Sequence, residues 1–111
     1  MRRKDYGFKS HLSYHKVKMK ERVQEILDIL QEECGEVIVE VSKCRRFGID
    51  SQHYKTNIPH REMLEQELGD VMAMMKLLID EGVISADGLE AAAERKIEKL
   101  HKWSNIFGQA K

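Results

Sequence analysis

Apolar residues recur along this chain at the three- and four-residue intervals of helices, not the two-residue interval of strands. Laid out at about 100° per residue, Val23, Ile26, Leu30, Cys34, Val37 and Val41 form one stripe. That predicts a long amphipathic helix over about 18–47. Gly48 stands at its stop, with Arg45 and Arg46 in a last turn that favours positive charge. Residues 48–60 read as a loop bearing His53, Lys55 and His60, with Arg61 just beyond; Asn57 and Pro59 mark the start of the next helix. The second helix is predicted over about 60–81. Its stretch 71–79 is apolar nearly all round, which suits the centre of a bundle, and Met63, Met72, Met74 and Met75 read as core filling. Gly82 ends that helix, and Ser85 or Asp87 can cap a third over about 86–104. In the third, Leu89, Ala92, Ala93, Ile97 and Leu100 face inward, and Trp103 and Phe107 cap the bundle or mediate self-association.

Two of these helices repeat one pattern. Glu33-Cys34-Gly35-Glu36 and Glu67-Leu68-Gly69-Asp70 each read acid, apolar residue, glycine, acid, and each is followed by two apolar residues. Acids three apart share a helix face. Glu33 falls at the edge of the first apolar stripe. Glu67 points between Val71 and Met74, and Asp70 between Met74 and Leu77. Most such pairs are solvated helix charges, but these acids are set into apolar surface, where an unpaired carboxylate is expensive. Four together repel, and a divalent cation resolves both problems. Oxygen-only donors favour Mg²⁺ first and Mn²⁺ second. A glycine inside a helix costs about 1 kcal/mol against alanine. Two in matching places suggest a close approach there by a facing helix or a ligand.

Composition narrows the class. The chain has 111 residues, 34% charged and 6% aromatic, with one proline; that suits a single all-helical domain. The expected division is a basic arm over 1–17, with His11, His15, Tyr6, Phe8 and Tyr14, and a helical domain over 18–111. Net charge is zero, so bulk electrostatics give no reason for nucleic-acid or membrane binding. Arg2-Arg3-Lys4 is followed by no apolar run, so no signal peptide is read. Cys34 and Cys44 are ten residues apart on one predicted helix, a rise of about 15 Å. That exceeds a disulfide's span and suggests a reduced, cytoplasmic protein. Lys96, Lys99 and Lys102 are candidate anion binders. Glu98 and His101 form a single E-x-x-H, of which a di-iron bundle needs two.

Glu32-Glu33-Cys34-Gly35-Glu36 followed by Glu67-Leu68-Gly69-Asp70 resembles the E-E-x-x-E … E-x-x-D signature of the MazG-like nucleotide pyrophosphohydrolases, part of the all-α nucleoside triphosphate pyrophosphatase superfamily. The resemblance spans about residues 23–99. It implies an all-α helical bundle completed by oligomerisation into homodimers or homotetramers. It implies Mg²⁺-dependent hydrolysis of a nucleoside triphosphate to monophosphate and pyrophosphate, by a metal-activated water attacking phosphorus. Glu33, Glu36, Glu67 and Asp70 would be the metal-holding catalytic residues, and Lys43, Arg46 and Lys96 would steady the triphosphate. Glu32, about 100° round the helix from Glu33, points away from the other acids. Where the family often has asparagine near the last lysines, this chain has Lys99-Leu100.

Three other readings fit parts of the sequence. The substrate could be phosphoribosyl-ATP, within the same superfamily. The chain could be a small helical nucleic-acid-binding protein using its basic arm and the 43–61 region, although the acid cluster would repel phosphates without metal. Or it could be a helical interaction module, which leaves the buried setting of the acids unexplained.

Overall fold

The computed structural model describes residues 14–108, with side chains from residue 21 onward. It contains three helices: α1 (Tyr14–Phe47), α2 (His60–Asp80) and α3 (Ala86–Trp103). Among the described residues there is no strand, only one isolated antiparallel bridge, Gln52 to Pro59. No helix among them is long and apolar enough to cross a membrane. α1 starts at Tyr14 and not near Lys18, so it takes in the end of the segment read as an arm. Tyr6, Phe8 and His11, and the side chains of Tyr14 and His15, lie outside the described residues. The chain divides into two compact units, Met1–Leu77 and Leu78–Lys111.

In the first unit the inward stripe of α1 differs from the predicted one by about one residue. Ile26 and Glu40 are buried, and Ile29, Leu30, Glu33, Val37 and Cys44 are half-buried, whereas Cys34 and Val41 are exposed. A helical wheel centres its stripe on apolar residues. Here two carboxylates take inward positions: Glu40 meets a histidine brought by α2, and Glu33 meets two acids of α2, as described below. Both cysteines are free, as their spacing on one helix requires.

The α1–α2 connection is well tied. Gly48 has φ +100°, the left-handed conformation that ends a helix, and its N–H donates to the Cys44 carbonyl at 3.0 Å. Across the loop, His53 N donates to Ile58 O at 2.9 Å, His60 N to Ser51 O at 2.9 Å and Arg61 N to Ile49 O at 2.8 Å. Asn57 takes φ +60°, and the Pro59 carbonyl accepts the first helical bonds of α2 from Glu62 and Met63.

Among the described residues, the apolar stretch of α2 is only partly buried. Leu78 is buried; Val71, Met74, Met75, Leu77 and Ile79 are half-buried; Met72, expected as core, is 51% exposed. Gly35 and Gly69 also depart from expectation. Among the described residues, a Cβ on either would meet nothing within 4 Å, so none of them packs closely there. Each lies about 200° round its helix from the inward acid two residues before it.

In the second unit Gly82 (φ +76°) closes α2. Val83 N donates to Leu78 O and Gly82 N to Ile79 O, the paired bonds that satisfy a helix's last carbonyls. Ser85 caps α3, its Oγ accepting from Gly88 N at 2.9 Å. α3 has no buried residue: Leu89 and Leu100 are half-buried, while Ala92, Ala93 and Ile97, expected inward, are exposed. A unit this small has too little interior to enclose every apolar residue it carries.

Candidate metal centre

α1 supplies Glu33 and α2 supplies Glu67 and Asp70. One carboxylate oxygen from each lies within 4.8 Å of the others. Glu33 and Glu67 are half-buried, as their places in the stripes predicted, but Asp70 is exposed. Its position at the solvent edge leaves the cluster open on one side. Glu36 is exposed and stands outside the converging trio.

The electrostatics are those of clustered carboxylates held partly out of water. Desolvation pushes the Glu33 carboxyl above the ordinary carboxylate value, and the charges of Asp70, Glu67 and Glu36 add to the rise, as does a hydrogen bond with Asp70. Glu67 is raised first by desolvation, then by Glu36, Asp70 and Glu40, with Lys43 acting in the opposite direction. Among the described residues, none of the three clustered acids makes an ion pair. Three hard oxygen donors that repel one another are what a hard divalent cation binds, so the residues present fit Mg²⁺.

Protonation and metal compete for these oxygens. The folded protein retains protons on Glu33 and Glu67 at pH values where the unfolded chain has lost them. The stability this contributes is complete below the ordinary carboxylate value of 4.5 and is lost as pH rises through the raised values. Metal binding needs the deprotonated form, so it strengthens over the same interval. The increment in melting temperature produced by Mg²⁺ is therefore expected to be absent near about pH 4 and to grow toward about pH 7. Melts across pH with Mg²⁺ or EDTA measure it, and an increment independent of pH would count against these ligands.

The other candidate residues are more scattered. Lys43 is half-buried on α1, close enough to Glu67 to lower its pKa. Arg46 is exposed with its guanidinium 5.0 Å from the Phe47 ring centroid. Lys96 is exposed on α3, in the second unit, and Glu32 is exposed on α1. His101 stacks on Phe107 at 3.8 Å, and it belongs to no metal-holding cluster among the described residues.

The sequence reading missed the buried pair beside this centre. His60 Nδ1 lies 2.9 Å from Glu40 Oε2, with the two side chains only 3% and 4% exposed. With the carboxylate ionised, Nδ1 carries the hydrogen and donates it. Glu40 is seven residues beyond Glu33, two turns along the same face, and that spacing is the signal that could have found it. The pair ties α1 to the first residue of α2. Cys44 Sγ donates to the His60 carbonyl at 3.7 Å, and Phe47 stacks on the imidazole at 5.8 Å.

Against known proteins, the sequence model of the MazG nucleotide pyrophosphohydrolase domain matches residues 21–105, a stretch holding all four motif acids and Lys43, Arg46 and Lys96. No curated protein and no solved structure matches the chain.

Proposed function

Since the chain belongs to the MazG nucleotide pyrophosphohydrolase family, we propose that it cleaves a nucleoside triphosphate with Mg²⁺, (d)NTP and water giving (d)NMP and pyrophosphate. The observation that supports this is the convergence of Glu33, Glu67 and Asp70, which among the described residues form no ion pair. These three would hold the ion, with Glu36 joining from beside them. Bound there, Mg²⁺ or Mn²⁺ would offset phosphate charge and lower the pKa of a water that attacks phosphorus.

The chain's own residues orient the rest. The half-buried setting of Glu33 and Glu67 strengthens their pull on a cation by excluding water. Lys43, beside Glu67, offers positive charge to the phosphates on the same helix, and Arg46 and Lys96 are proposed to add to it. A screen of all NTPs and dNTPs, with phosphoribosyl-ATP included, should find pyrophosphate release from at least one, only with Mg²⁺ or Mn²⁺. Equal activity in excess EDTA, or orthophosphate as the first product, would contradict the reading.

We also propose a homodimer or homotetramer in a cytoplasmic setting, the latter in keeping with two free thiols. Ile38 is 70% exposed and α3 has no fully buried residue. The open faces of Gly35 and Gly69 would let a second copy approach closely, which would account for two glycines inside helices. Light scattering is expected to give at least twice the 13.0 kDa chain mass; a monomer at micromolar concentration would refute the assembly.

A further inference from the structure

We propose that the aromatic rings gathered where α1 ends, with Phe47 and Tyr54 outermost, are the surface on which the substrate's nucleobase stacks. The 48–59 loop would thereby set which nucleotide is taken. This rests on the pyrophosphohydrolase reading above.

The first support is the order of groups along one helix face. Glu33, Glu36, Glu40, Lys43 and Phe47 follow one another at intervals of three and four, so they form a single stripe. Along the axis, Glu36 to Lys43 is about 10 Å and Lys43 to Phe47 about 6 Å. The stripe thus runs from cation-binding acids through a lysine to an aromatic ring. A metal-bound triphosphate has the matching order, from phosphates through sugar to a flat base. Glu40, midway, is bonded to His60 and buried, so its charge is not presented to a phosphate chain lying over it.

The second support is how the rings are held. Phe47 stacks on His60 at 5.8 Å with 22° between planes, and His60 meets His53 edge-on at 6.2 Å. His53 stacks on Tyr54 at 5.0 Å and 20°. The inner rings are fixed: His60 is buried and bonded to Glu40, and His53 is half-buried with its Nδ1 accepting from Lys55 N at 3.1 Å. The outer rings face solvent, Phe47 at 56% exposure and Tyr54 at 82%. The loop's fold rests on its backbone bonds and owes little to so exposed a tyrosine. Exposed rings seated on fixed ones lose little freedom when a flat ligand covers them. Arg46 and Lys55 lie over Phe47 and Tyr54, where either can turn toward phosphate as a base takes its place.

The test uses the full chain with Phe47→Leu and Tyr54→Ala. Pyrophosphate release is measured over the nucleotide panel, with inorganic triphosphate, which has no base, as a competitive inhibitor. Stacking on an aromatic ring is worth about a ten- to hundredfold change in affinity. Each variant should raise KM for its best nucleotide by about that factor, with the loss in KM and not kcat, and with the Ki of inorganic triphosphate unchanged. Melting temperature and mass are measured alongside. Unchanged KM in both variants of an active enzyme would overturn the platform alone. So would an equal rise in the Ki of inorganic triphosphate, or a fall to a smaller assembly, since either would make the rings structural. A wild type that cleaves no nucleotide with metal supplied would overturn the underlying reading and the platform with it.

Discussion

Glu67→Gln and Asp70→Asn are each expected to lower pyrophosphate release by orders of magnitude while leaving the metal-free protein as stable as the wild type, or more so. Both changes keep shape and remove charge. For activity, each takes one anionic oxygen ligand from a trio whose atoms lie within 4.8 Å, and a hard cation depends on carboxylate charge. For stability, the sign is opposite. Glu67 is pushed up by desolvation and by Glu36, Asp70 and Glu40, so removing one charge relieves repulsion in the metal-free state. Mg²⁺ is expected to stabilise the wild type by binding only the folded form, and to stabilise either variant less. Were the acids structural ion-pair partners, both variants would melt lower and Mg²⁺ would change nothing. Melts of the three proteins with and without Mg²⁺, together with activity, separate the two outcomes.

Glu40→Ala or His60→Ala should each cost about 3–5 kcal/mol, the usual penalty for leaving one member of a buried pair without its partner. At about 4–8 °C per kcal/mol for a domain near this size, such a loss lowers the melting temperature far enough to leave little folded protein in warm solution. The effect is large because both side chains are almost fully enclosed, so water cannot replace the lost partner. Replacing both at once, Glu40→Met with His60→Phe, should recover most of the stability, since replacing both members of a buried hydrogen-bonded pair by apolar groups can be nearly neutral. A single variant melting within a few degrees of wild type, or a double variant no better than the singles, would show that the pair is not an energetic unit.

Helix stops and starts were legible in the sequence because they are local. Gly48 and Gly82 adopt positive φ and Ser85 caps α3, each within a few residues of its own hydrogen-bond partners. α2 and α3 end within a residue of their predicted limits. The shared faces of the acids were legible for a related reason. Glu33, Glu67 and Asp70 lie in a repeated motif whose three-residue spacing already puts each pair on one face.

Only the tertiary structure decided which face of α1 turns inward, and it chose the one bearing Glu33 and Glu40 over the one bearing Cys34 and Val41. It left Glu36 outside the converging trio and Asp70 at the solvent edge, and it left α3 without a buried residue. On that inward face Glu40 is bonded to His60, twenty residues further on. A wheel built from hydrophobicity places a carboxylate outside, because alone it is costly to bury. Bonded to an imidazole brought across by the next helix, that carboxylate is accommodated inside, and no pattern within α1 records that the imidazole will be there.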